Sequence, residues 1–445
     1  MKTVIFKRIQ SIRLKLSTIW FLNKFSVFRN FALNFWANVA IGIPSVFALY
    51  VADSVLTRED LSTFIKVWAL TNTLIVGVAS PLLTYAPNLR MDFKNETAQF
   101  DQHFFPVSLL SSLLIIIPIE FVVVYWMFDV KSLFVLIALT TFTVFSISFN
   151  IKNALLISKS AYGKYFFSAC TFGTIASISL LLVKFMDFQS IAILFYLFSF
   201  ALGAASADQL LSFVSDFSLT NFQMFVTRIL RMKAFTPFLV TIFITSSSTF
   251  ILNGPLLFGS FIGASNNQLV TFGTCLNIVL VCYTMLNSFT SPIQTSLISS
   301  LKQPDNVHFG LIYRKSFNSY LLFTLLLTVF LSVTINFLAR IYVPSVLRLD
   351  FIIRLILVAG LGFSTLAGLP RLGLMISKRY SHLFFIWCAG LVLFVFVVFL
   401  PFDPFTAMVL APTIASFSIL VASTTTFRNT TISIIPDSSS INHNH

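Results

Sequence analysis

Charged side chains stand inside long apolar stretches of this chain, among them Lys66, Glu120, Asp208, Arg354 and Arg371. A charge at such a position costs several kcal/mol unless it faces water or an opposite charge. Residues that persist there bind ions, relay protons or meet a charged cargo. Lys66 sits about one turn inside its stretch, where snorkelling to the interface is the competing reading. Glu120 follows Pro118 in Ile117-Pro118-Ile119-Glu120, where proline bends a helix. It is a candidate for titration or for pairing with a cation. Asp208 lies toward the end of its stretch, where simple interfacial exposure competes with ion coupling. Arg354 and Arg371 are 17 residues apart, roughly 25 Å along a helix, and both compete with snorkelling. The cations Lys66, Arg354 and Arg371 favour an anionic cargo, and Glu120 and Asp208 favour a cation or proton.

Uncharged polar residues recur beside them at helical spacing. Asn34, Asn38, Gly42 and Ser45 share one face, as do Lys66, Thr73, Gly77, Ser80 and Thr84. Ser146, Asn150 and Asn153 form a third stripe, and Thr241, Thr245, Ser248 and Thr249 a fourth. Such stripes wall a polar cavity or, in the competing reading, glue helices together.

The elements that hold these residues are membrane spans. The chain is 57% hydrophobic and 10% charged, too little charge to cover a soluble domain of 445 residues. A bilayer core about 30 Å thick takes roughly 20 helical residues to cross. Apolar runs of that length lie near 31–52, 62–88, 104–128, 132–157, 165–185 and 189–214. Six more lie near 234–257, 268–294, 318–344, 351–376, 381–401 and 404–426. Backbone groups in lipid must be satisfied internally, so the fold class is an all-α polytopic membrane protein of about twelve helices.

Lys and Arg accumulate in cytoplasmic loops. With the N-terminus inside, 22 of the 29 basic residues fall on the inner side, so both termini are expected in the cytoplasm. Topology thus accounts for the net charge of +14, and nucleic-acid binding is excluded because no soluble basic face remains. Residues 1–30 read as a basic amphipathic segment on the inner leaflet, and residues 428–445 as a polar disordered tail. The four cysteines fall inside spans without disulfide or metal spacing. No metal, cofactor or nucleotide motif is present, and neither G-x-x-x-x-G-K-[ST] nor G-x-G-x-x-G occurs.

The basic connection 215–233 divides the spans into a lobe at 31–214 and a lobe at 234–427. Six spans each give the halves the same orientation, as in a parallel repeat. Shifted by 205 residues, Asn72 meets Asn277 and Pro87 meets Pro292.

The first hairpin runs Pro44-Ser-Val-Phe-Ala-Leu-Tyr-Val-Ala-Asp53, then a short loop, then Thr63-Phe-Ile-Lys-Val-Trp-Ala-Leu-Thr-Asn72. With twelve spans in two halves, it resembles the multidrug/oligosaccharidyl-lipid/polysaccharide (MOP) superfamily, and within it the Wzx-type polysaccharide flippases. Asn253-Gly-Pro255 departs from that pattern, which often has an aspartate there. The resemblance implies a flippase in the bacterial inner membrane, with membrane lipid and a polysaccharide polymerase or other assembly proteins as partners. Its cargo would be a polyprenyl-diphosphate-linked oligosaccharide such as an O-antigen repeat unit. Lys66, Arg354 and Arg371 would meet the diphosphate or acidic sugars, and Asn34, Asn38, Asn72 and Asn277 the sugar hydroxyls. The alternative within the superfamily is a cation- or proton-coupled antiporter of drugs or other small molecules, with Glu120 or Asp208 as the coupling carboxylate. A membrane polymerase or glycosyltransferase is the second alternative, with Asp53, Glu59 and Asp60 as its acids. Its usual large outer loop is missing from the short connections here.

Overall fold

The computed structural model describes residues 2–92, 97–159, 161–186, 188–216, 223, 227, 235–287, 293 and 307–434. Six helices make the first half: α1 (Lys2–Val55), α2 (Arg58–Asp92), α3 (Thr97–Val122), α4 (Leu133–Ser158), α5 (Tyr162–Met186) and α6 (Ile191–Asp216). The second half holds α7 (Phe235–Phe258), α8 (Asn266–Asn287), α9 (Val307–Tyr342), α10 (Phe351–Leu366), α11 (Gly368–Ile376), α12 (Tyr380–Val398) and α13 (Pro404–Ile434). Twelve segments among the described residues are long and apolar enough to cross a membrane, the tenth being α10 and α11 together. That span breaks at Ala367 because Pro370 has no N–H to donate to the Leu366 carbonyl.

Helix ends near both termini differ from the sequence reading. Helix α1 is unbroken, so the segment expected on the membrane surface is continuous with the first span. Helix α13 continues to Ile434, into the expected tail. The connection 215–233 lies almost wholly outside the described residues.

The packing of the first half recurs in the second. α1 packs on α5, α5 on α6, α6 on α4, and α4 on both α2 and α3. Correspondingly, α7 packs on α12, α12 on α13, α13 on α10, and α10 on both α8 and α9. The halves meet where α2 crosses α7 and α1 crosses α8, a pair that exchanges under the same correspondence. Lipid gives helices little hydrophobic reason to associate, so close packing must hold them. Phe64, Trp68, Phe142, Phe195 and Phe198 do this in the first half, with ring centroids 5.0–6.2 Å apart. Apolar side chains such as Leu114, Trp126 and Phe185 face outward, as a lipid-facing belt requires.

Candidate functional site

A threonine within a helix ordinarily turns its hydroxyl back to the carbonyl four residues earlier. Thr73, Thr140, Thr141, Thr241, Thr245 and Thr249 all do so. Thr71 and Thr143 depart from that pattern, and both aim at Glu120. Thr71 Oγ1 on α2 donates to Glu120 Oε1 at 2.6 Å, and Thr143 Oγ1 on α4 donates to Oε2 at 2.7 Å. Glu120, on α3, is only 2% exposed, and no cation among the described residues pairs with it. Its backbone is irregular on the C-terminal side, where α3 passes into a π-helical turn, Val123–Met127. Pro118, where a bend is expected, lies inside α3, which continues to Val122.

The surroundings are dry. Trp68 lies one turn before Thr71, and Phe142 precedes Thr143, so the aromatic cluster adjoins the carboxyl's two partners. Two hydrogen bonds to an ionised carboxylate contribute about 1.5–3 kcal/mol each. Removing that charge from water costs several kcal/mol. Burial and the two hydroxyl bonds thus act on this carboxyl in opposite directions. A hydroxyl can donate or accept, so both threonines can serve either protonation state of the carboxyl.

Two residues beyond Thr71, the same helix meets the other half. Asn253 Nδ2 on α7 donates to Thr73 Oγ1 at 3.1 Å. One turn on, a Cβ added at Gly77 would lie 2.7 Å from Ser246 Oγ and 3.0 Å from its Cα, so only glycine allows this approach of α2 to α7. On the exchanged crossing, Asn277 Nδ2 on α8 donates to the Ser45 carbonyl on α1 at 3.0 Å. Lys66 Nζ reaches Ser260 Oγ across the halves at 3.5 Å and lies 5.6 Å from the Phe128 ring centroid.

At the end of the molecule bearing the α1–α2 connection, Arg58 ties the end of α1 and the start of α8 to the α9–α10 connection. Its Nε donates to Asn267 Oδ1 at 2.8 Å and its Nη2 to the Ser345 carbonyl at 2.9 Å. Its Nη1 lies 3.3 Å from Asp53 Oδ1, which also accepts from Ser345 Oγ at 3.0 Å. The polymerase reading assigned Asp53 and Asp60 to catalysis. Here Asp53 belongs to this latch, and Asp60 Oδ2 accepts from Thr57 Oγ1 at the start of α2.

The remaining candidates have these surroundings. Asn34 is buried in α1. Asn38 Oδ1 accepts from the Tyr165 hydroxyl of α5 at 3.1 Å, a contact within the first half. Asn72 is half-buried between Thr71 and Thr73. Arg354 Nη1 donates to the Val333 carbonyl of α9 at 3.2 Å, and its guanidinium lies 5.5 Å from the Phe351 ring centroid. Arg371 is half-buried on α11, at the other end of the tenth span. Asp208 has a side chain 65% exposed and pairs with Lys152 at 2.6 Å, so it does not lie deep. Thr71 and Thr143 were missed in the sequence because their departure from back-bonding leaves no trace in spacing.

No protein-family profile matches the chain, and no curated protein is similar to it in sequence. Solved structures do resemble it. A eukaryotic MATE transporter superposes with a TM-score of 0.63 at 12% identity, covering 92% of this chain and 100% of that one. The inward-facing conformation of a multidrug resistance MATE family transporter of the MOP superfamily gives 0.60 at 9% identity, covering 89% and 98%. A MOP superfamily transporter from Pyrococcus furiosus gives 0.57 at 12% identity, covering 89% and 96%. This is the fold of the MOP transporters. The fold implied by the twelve spans in two halves and the first hairpin is the one these structures have.

Proposed function

We propose that this chain is a proton-coupled antiporter that exports a small amphipathic solute by alternating access, with Glu120 as the coupling group. The observation that carries this reading is a buried carboxyl held by two hydroxyls, with no paired cation among the described residues, two residues along α2 from the contact between the halves. A proton on Glu120 alters its bonds to Thr71 on α2 and Thr143 on α4. Helix α2 also carries Thr73 and Gly77, which touch α7. Protonation therefore bears on the element that joins the halves. The multidrug transporters among the solved neighbours support the antiporter over the flippase. The Wzx-type reading rests on the resemblance alone. On the charge bias, the Arg58 end faces outward and both termini face the cytoplasm.

Purified protein in proteoliposomes with an imposed pH gradient tests this reading. Uptake of fluorescent lipophilic cations such as ethidium should follow the pH gradient and be indifferent to a Na⁺ gradient. Uptake that follows Na⁺ would replace the proton. Transfer of a lipid-linked oligosaccharide without response to either gradient would restore the flippase.

A further inference from the structure

A second site lies apart from the contact between the halves, where α4, α5 and α6 reach one end of the membrane. A cavity of about 550 Å³ opens there, lined in part by Lys152, Lys164, Phe167, Ser168, Ala205 and Asp208. Lys152 lies six residues before the end of α4, about 9 Å along the axis. Its Nζ donates to the Ala205 carbonyl and to Asp208 Oδ1, each at 2.6 Å, leaving one of three protons without a partner. Lys152 is thereby fixed, with a side chain 12% exposed. Lys164, the third residue of α5, is exposed and joins no ion pair among the described residues. Lys152 and Asp208 offset each other, so the cavity carries one net positive charge.

Toward the membrane interior the charge gives way to a bare apolar surface. Phe167 is 74% exposed, and Phe200 and Ile178 are also exposed on the same two helices. A cationic pocket at the interface above an uncovered apolar strip matches one kind of molecule: a phosphate head with acyl chains.

We propose that this pocket binds an anionic phospholipid, its phosphate meeting Lys164 and the free proton of Lys152 and its chains lying along Phe167, Ile178 and Phe200. A zwitterionic lipid brings its own cation and gains less from the net charge. The site does not depend on the transport reading or on which side of the membrane this end faces.

The test uses the full-length chain purified in detergent, titrated with phosphatidylglycerol or phosphatidylcholine and examined by native mass spectrometry. One phosphatidylglycerol should be retained in preference to phosphatidylcholine. Lys164→Ala removes an exposed, unpaired side chain, so the variant should fold; it should weaken retention about fivefold, the effect of one interfacial lysine. Asp208→Asn should strengthen retention by a similar factor because it removes the offsetting charge. A merely structural ion pair predicts the opposite sign for Asp208→Asn. Equal retention of both lipids, or retention unchanged in both variants, would overturn the proposal. So would displacement of phosphatidylglycerol by millimolar inorganic phosphate, since that would mark a site for a soluble anion.

Discussion

At the scale of the residue, the account turns on a carboxyl whose partners come from two other helices. Glu120→Gln keeps a side chain that can bond both threonines but cannot exchange a proton. It should retain solute binding and lose accumulation against a gradient, measured by ethidium binding and uptake on the same preparation. Thr71→Val removes one bond and leaves Oε1 dry, which costs about 1.5–3 kcal/mol of the ionised form. Ethidium accumulation driven by an imposed pH gradient should then fall severalfold while ethidium binding is kept, as uptake and binding on one preparation would record. The second half offers no counterpart acid. Where α8, α9 and α10 meet, the Tyr283 hydroxyl bonds Thr328 Oγ1 at 2.6 Å and the Val358 carbonyl at 3.4 Å. Coupling in this reading belongs to the first half alone.

At the scale of the element, α2 transmits. Its Thr71 faces Glu120, its Thr73 meets Asn253, and its Gly77 permits the crossing with α7. Gly77→Ala forces the Ser246 backbone and side chain to move, an overpacking cost of about 1–3 kcal/mol. Thermal unfolding should register that loss, and crosslinks between α2 and α7 should weaken. The span pattern was legible in the sequence because length and apolarity suffice for it. Glu120 was legible because charge within an apolar run is rare. Its threonines were not, because spacing cannot tell a hydroxyl that bonds its own helix from one that reaches a neighbour. Asn38 fitted a cavity stripe for the same reason, although its partner is Tyr165 of α5. The π-helical turn after Val122 left no composition signal, and the break at Ala367 follows from Pro370 alone.

At the scale of the whole molecule, alternating access requires the halves to separate at one end and then the other. Here Arg58, Asp53, Asn267 and Ser345 tie the end that carries the α1–α2 connection. Arg58→Ala removes several bonds, each worth about 0.5–1.5 kcal/mol. It should shift the population toward opening at that end, read as faster labelling of a cysteine placed at Ser260. The central claim is that proton movement and solute movement are coupled through Glu120. Its most direct test is proton flux in proteoliposomes that enclose a pH indicator and carry no imposed pH gradient. An ethidium gradient should drive opposite proton movement in the native protein and none in Glu120→Gln, with ethidium binding preserved in both. Equal proton movement in the two proteins would contradict the account.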